Sequence, residues 1–325
     1  MIRQGLAAAL LFFPAPSVTS EGLTLRIPVV CVAEDGCYIQ QYMDRAPGPG
    51  WRDYMCSTLS YNRHSGTDFA VPNRAIMNRG VDVIAAAPGI VRGTRDGMPD
   101  TGWTAATAAL VGSRPCGNGL VIDHHDNWAT QYCHLKEGSI QVEKGQSVNA
   151  GDVLGQIGQS GRAEFPHVHF TVRKHDVPID PFDPDGVVNC AAPADSSLWI
   201  DPPPYQPGGV IDLGMTTQMP SYEDVKAGHV GEQTATPDAS AIILYGVIFG
   251  GRIGDILRLS VQAPEGNQIA MNEAALSANQ AMAFRALGTN LRPGRQWQHG
   301  NYIGRVTLLR GREVVSERTQ TLVIE

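Results

Sequence analysis

The sequence predicts a mainly β protein: a compact, strongly bent β-sheet unit followed by a small antiparallel, immunoglobulin-like β-sandwich. Three observations carry that expectation. The 325 residues include 36 Gly and 22 Pro, a turn-rich content that favours many short strands over a few long helices. Between residues 144 and 158 single apolar residues stand between glycines at short intervals, as in short strands joined by tight turns. In residues 255–262, Leu257, Leu259 and Val261 alternate with Arg258, Ser260 and Gln262, the pattern of a half-buried strand.

The elements follow in chain order. Residues 1–20 hold one charge, Arg3, then an uncharged, mostly apolar run over 5–13, then Pro14, Pro16 and small residues. This reads as a secretory signal peptide, too short and too broken by proline to span a bilayer. Cys31 lacks the small apolar residues that a lipoprotein cleavage site needs before it, so the expected mature protein is free, periplasmic or extracellular, with no stable membrane insertion. Residues 120–123 and 129–132 flank a short polar stretch containing Asp126-Asn127 and predict a β-hairpin. Residues 201–209, rich in Pro and Gly, are linker chemistry. They divide a unit at 21–200 from one at 210–325. Beyond them, residues 302–309, 313–317 and 321–324 are three β-prone runs, and the Ala-rich stretch 274–286 is compatible with one helix.

Composition excludes several classes. With 42% hydrophobic and 18% charged residues the chain is neither wholly disordered nor collagen-like. Its net charge is -7, with no basic run that tracks a phosphate backbone, so nucleic acid is excluded as a partner. Six cysteines, at 31, 37, 56, 116, 133 and 190, all precede the linker. An even count behind an export signal predicts three disulfides and no free thiol, with the connectivity open. No CxxC pair exists to suggest a cysteine-ligated metal.

Chemistry concentrates in three short segments. His64-Ser65-Gly66-Thr67-Asp68 places a His and an Asp four apart, with a glycine that lets the backbone turn between them. In His167-Val168-His169 both imidazoles leave the same face of a strand while Val168 points into the core. Tyr132-Cys133-His134-Leu135 closes the hairpin. A catalytic zinc site uses three protein ligands and keeps a further position for water, so two His and one Asp suffice and the remaining histidines are free to act as acid, base or hydrogen-bond donor. His134 is a candidate for that second role.

Taken in order, these segments, with Gly117-Asn118-Gly119-Leu120-Val121-Ile122-Asp123-His124 and Pro166-His167-Val168-His169-Phe170, resemble the lysostaphin/LytM-type zinc metalloendopeptidases that cut bacterial peptidoglycan cross-links. The resemblance spans about residues 30 to 185. It implies one zinc ion held by His64, Asp68 and His169, with His134 and His167 beside the metal-bound water as the proton-handling, oxyanion-stabilising pair, and a peptidoglycan peptide as substrate. Departures from the family pattern are an extra segment between Asp96 and Arg114, cysteines at 116 and 133, and a Cys-containing leader before His64. Rival readings are a non-catalytic regulator of wall hydrolases on the same fold and a biotinyl or lipoyl carrier, for which Lys144 has no suitable flanking motif. His124 reads as packing, and His125, His175, His229 and His299 read as surface residues. The glycines of 155–161 read as turns, because no GK[ST] follows. Ser65 and Ser160 show no sign of a nucleophile elbow or triad.

Overall fold

In residues 167–174, Val168, Phe170 and Val172 alternate with His167, His169 and Thr171, and side chains of a strand leave opposite faces with period two. The computed structural model, which describes residues 22–33, 36–187, 190 and 197–325, makes this segment the middle of a sheet. The signal-peptide expectation for 1–20 lies outside the described residues. Val168, Phe170 and Val172 are 0–1% exposed, each burial contributing roughly 1.5–3 kcal/mol.

The first half of the chain contains β1 (Tyr38–Gln41), β2 (Thr67–Ala70), α1 (Arg74–Arg79), β3 (Asp82–Ile84), β4 (Gly89–Arg95), α2 (Ala108–Val111), β5 (Asn118–Asp123), β6 (Trp128–Leu135), β7 (Ser147–Val148), β8 (Val153–Gln156), β9 (His167–Lys174) and β10 (Val177–Ile179). Its main sheet is antiparallel in the order β1-β2-β9-β6-β5-β4-β7, with β10 on the far end of β9, and β3 pairs β8 separately. The expected hairpin is β5–β6, with Leu120 opposite Tyr132 and Asp123 opposite Ala129.

Two buried or half-buried aspartates shape the long connection from β1 to β2. Asp44 accepts from the backbone N–H groups of Ala46, Arg52 and Arg63. Asp53, fully buried, accepts from those of Met55, Ser57 and Leu59 and from the Tyr205 hydroxyl. Such side chain to backbone bonds give an irregular loop the satisfaction a ladder would otherwise supply. They bring His64 to the start of β2.

The second half contains β11 (Gly209–Thr216), α3 (Tyr222–Ala227), β12 (Thr234–Ala235), β13 (Ala241–Gly251), β14 (Ile256–Gln262), β15 (Gln268–Ala275), β16 (Gln280–Asn290), β17 (Gly300–Arg310) and β18 (Glu313–Ile324). A three-stranded sheet, β11-β13-β16, faces a five-stranded one, β12-β18-β17-β14-β15, across a core that includes Ile242, Leu244, Ile248, Leu257, Val306 and Leu308. The half-buried strand is β14, with Leu257, Leu259 and Val261 inward. Two expectations are corrected. The Ala-rich stretch is the end of β15 and the start of β16, because β16 pairs along β13 and its small residues lie opposite bulky ones, Ala283 across from Ile248 and Ala286 from Tyr245. Helix propensity, a weak prior, yields here to sheet pairing. The runs at 313–317 and 321–324 are one continuous strand, β18, paired with β17 from end to end with one register shift between Leu308 and Leu309.

All six cysteines pair, as Cys31–Cys37, Cys56–Cys190 and Cys116–Cys133, with sequence separations of 6, 134 and 17. Loop-closure entropy grows with the length closed, giving contributions of about 2, 5 and 3 kcal/mol in that order. Pairwise Cys→Ser replacement is therefore expected to lower the urea midpoint most for Cys56–Cys190 and least for Cys31–Cys37. A different ranking in equilibrium unfolding would show that native-state contacts, rather than chain entropy, dominate these cross-links.

Candidate functional site

Three adjacent strands, β2, β9 and β6, assemble the site. In the antiparallel register of β2 with β9, Asp68 lies directly opposite His169 and Ala70 opposite His167. On the other side of β9, Cys133 of β6 lies opposite His169, which brings His134 to the same end of the sheet. Each of the five residues singled out in the sequence is therefore present in one cluster. Their imidazole rings pack with centroid separations of 4.9 Å for His64 and His169 and 4.8 Å for His134 and His167.

Hydrogen-bond partners settle several tautomers. A carbonyl oxygen only accepts, so His64 Nδ1 at 2.7 Å from the Tyr42 carbonyl carries a proton, as do His134 Nδ1 at 2.8 Å from that of Ser160 and His167 Nδ1 at 2.8 Å from that of Phe165. When these rings are neutral, each Nε2 is a lone pair. His64 Nε2 sits 3.1 Å from both Asp68 Oδ1 and His169 Nδ1, and His169 Nδ1 is 2.8 Å from the same carboxylate oxygen. Electron-rich atoms so close, largely out of water, repel unless a proton or a metal cation lies among them. His64 and Asp68 are each 2% exposed. Zinc takes this donor set with ligands at about 2.0–2.2 Å, which would hold tetrahedral ligand atoms roughly 3.3–3.6 Å apart. The observed spacing is a few tenths of an ångström short of that, so His64, Asp68 and His169 fit a metal ion with little movement, and their donor atoms are the metal-competent group among the described residues.

Electrostatics differ from ring to ring. Burial opposes charge on His64, but the neighbouring Asp68 carboxylate outweighs it and raises the imidazole above its usual range. Burial also opposes charge on Asp68, yet His64 and His167 hold its carboxyl well below the ordinary carboxylate range. His134 lies well below the usual imidazole range, from burial first and then from the proximity of His167 and His169. His167 is lowered by burial, against the pull of Asp68.

Residues 62–181 match peptidase family M23. Among relatives, peptidoglycan DD-endopeptidase ShyB of Vibrio cholerae is 36% identical over 118 residues, which cover 36% of this chain and 22% of that protein. DD-carboxypeptidase/endopeptidase Mpg of Neisseria meningitidis is 29% identical over 124 residues, covering 38% and 23% respectively. The matched region thus spans less than a quarter of the length of these relatives. Among solved structures, the catalytic domain of lysostaphin from Staphylococcus simulans is 20% identical, with 43% of this chain and 85% of that one covered and a TM-score of 0.27.

Several residues of the matched region that shape the site carry no chemical signature in the sequence. Ser160 and Asn118, both fully buried, position His134: the Ser160 carbonyl accepts from its ring, and the Ser160 hydroxyl links the Asn118 N–H to the Leu135 carbonyl. Thr171 Oγ1 lies 3.0 Å from His169 Nε2 and orients that ring. Its signal was available, because it continues the period-two face of His167 and His169. Tyr61 stacks on His64 and Phe165 on His167, each with centroids 4.4 Å apart. Gly66 has a role other than the one expected. It is absent from the positive-φ positions, and a Cβ there would lie 2.5 Å from the Phe170 carbonyl and 2.9 Å from the His169 ring. Close approach, rather than turning, requires glycine. His124 bridges the Pro88 carbonyl and Thr130, a structural role, while His125, His175, His229 and His299 are exposed.

His134 itself has φ of 65°, in the left-handed region, where the strand pair β5–β6 shifts register between Asn118 and Gly119. A residue with a Cβ costs roughly 1–2 kcal/mol there and glycine does not. The His134→Gly variant is therefore expected to unfold at a higher urea midpoint than His134→Ala, by about 1 kcal/mol, although both lack the imidazole. Equal midpoints would show an unstrained backbone at this position.

Proposed function

We propose that the chain is an exported zinc endopeptidase that hydrolyses peptide cross-links of bacterial peptidoglycan, with its catalytic unit at 21–200 and the sandwich at 210–325 following the linker. The convergence of His64 Nε2, Asp68 Oδ1 and His169 Nδ1 is the observation that carries this reading. The match of residues 62–181 to peptidase family M23 and the similarity to relatives named as peptidoglycan DD-endopeptidase and DD-carboxypeptidase/endopeptidase support the substrate class. Three disulfides support a location outside the reducing cytoplasm, periplasmic or extracellular. No helix among the described residues is long and apolar enough to cross a membrane.

Zinc held by His64, Asp68 and His169 would supply a Lewis acid that polarises a peptide carbonyl and makes water more acidic. The remaining work falls to the protein. His134, with Nδ1–H committed to the Ser160 carbonyl and its pKa held well below the usual imidazole range, keeps Nε2 as a lone pair able to receive a proton. His167, similarly committed through Nδ1 to Phe165, presents Nε2 3.6 Å from Asp68 Oδ1, where the neutral ring accepts from a water held at the donor cluster and the protonated ring donates to a developing oxyanion. Stacked Tyr61 and Phe165 fix the planes of the rings they cover. A non-catalytic regulator on this fold needs neither the complete donor set nor the two further oriented histidines.

Two sets of variants separate holding the metal from handling the proton. His64→Ala, Asp68→Ala and His169→Ala are each expected to lower zinc content measured on the purified protein, since each removes one of three ligands. His134→Ala and His167→Ala are expected to retain zinc and lose about 10² to 10⁴-fold in turnover. The direct test of the whole reading is digestion of purified peptidoglycan with mass analysis of the fragments. Release of peptide-joined fragments cut within the cross-link is the expected result, and an unchanged digest with a zinc-loaded chain would refute it.

A further inference from the structure

The cleft over the histidine cluster, about 860 Å³ in volume, has a second wall that comes from beyond the linker. Asp68, His134 and His167 line one side, while Tyr222 and Lys226 of α3 and Met282 of β16 line the other. This wall is fixed in place. Gln40 of β1 donates through its side-chain amide to the Ala281 carbonyl at 2.8 Å, and Asn73, the N-cap of α1, donates to Asp212 of β11 at 2.9 Å. Tyr38 packs on Phe249 with ring centroids 4.8 Å apart, and Tyr38 and Ile39 share one buried cluster with Ile211, Val247 and Phe249. The short helix α3 ends at Gly228, with φ of 76°, where a Cβ would come within 2.5 Å of Asn73 Oδ1. Glycine there lets α3 close down on α1.

Charge around this cleft is one-sided. Arg74 of α1, Arg162 and Lys226 line it, and its carboxylates are Asp68, already engaged with the histidines, and exposed Glu164. Arg74 and Arg162 form no ion pair among the described residues, and Arg162 instead lies over the Trp103 ring at 5.4 Å. Lys226 pairs with neighbouring Glu223 and lies 4.9 Å from the centroid of the Tyr222 ring, which in turn stacks on Phe284 at 5.2 Å. A half-exposed pair of this kind exchanges readily for a ligand carboxylate.

We propose that the C-terminal sandwich is part of the substrate site, with Lys226, together with Arg74, binding a carboxylate of an acidic peptide whose apolar portion packs against Tyr222 and Met282. This rests on the peptidase reading for what happens to the peptide, and not for its recognition. Cations lining one cleft favour an anionic ligand over its amide, and replacing one of them by a carboxylate turns attraction into repulsion. The sandwich then has a function without carrying any catalytic group. It selects which peptide reaches the histidine cluster.

The test uses the full-length, zinc-loaded chain carrying His134→Ala so that the peptide persists. A fluorescent synthetic peptide with free carboxylates, and the same peptide with them converted to carboxamides, are titrated by anisotropy. Adding Lys226→Glu is expected to weaken binding of the acidic peptide about tenfold and to abolish its preference over the amide, while Lys226→Arg retains both. Lys144→Glu, an exposed substitution away from the cleft, serves as the control for net charge and is expected to change neither. Equal binding of the two peptides by the parent, or undiminished binding of the acidic one by Lys226→Glu, overturns the proposal. Cleavage by the wild-type chain separates this from the peptidase reading. Lys226-dependent binding without any cleavage removes the peptidase and keeps the subsite, whereas cleavage of both peptides with KM indifferent to Lys226 does the reverse.

Discussion

The antiparallel pairing of β2 with β9, in the register that sets Asp68 across from His169, is the constraint on which the rest depends. Side chains alternate faces along a strand, so a slip of one residue would turn Val168 and Phe170 toward the cleft and drive His167 and His169 into the core. Burial of Phe69, Val168 and Phe170 on one face thus holds Asp68, His167 and His169 on the other. Hydrophobic packing and site geometry are two consequences of one register. The remaining donor, His64, is delivered by a loop whose shape rests on Asp44 and Asp53 hydrogen-bonding to its backbone.

His134 is held differently. Its backbone leaves regular strand geometry, with a positive φ, and persists there because its surroundings over-determine it: its N–H donates to the Cys116 carbonyl, its ring to Ser160, and the disulfide of its neighbour Cys133 ties β6 to the segment before β5. A regular strand would alternate the ring away from the cleft side of Cys133. The bulge aims it back.

Around one buried carboxylate the neighbouring imidazoles are pushed in opposite directions, His64 up by Asp68, His134 down by burial and by its sister rings. Neighbouring groups of one type thereby acquire different proton affinities, the separation that acid–base chemistry requires. The same buried setting makes a cation among His64, Asp68 and His169 favourable, since with the rings neutral the donor atoms face each other unscreened.

Much was legible in the residues themselves. Period-two alternation gave β9 and β14, turn chemistry gave the β5–β6 hairpin, and the short motifs around His64, Asp68, His134, His167 and His169 pointed to one cluster through the family they resemble, because local pattern and ligand chemistry are short-range properties of the chain. Tertiary structure alone decided what long-range pairing decides. It made strands of the Ala-rich stretch at β15 and β16, joined Cys56 to Cys190 among fifteen possible connectivities, assigned Gly66 to close packing against His169, and made Ser160, a serine with no sign of a nucleophile, the support of His134. It also laid α3 and β16 across the cleft, a placement that no local signal around Tyr222, Lys226 or Met282 encodes, because it arises from apolar surfaces of two halves of the chain meeting through Tyr38, Ile39, Val247 and Phe249.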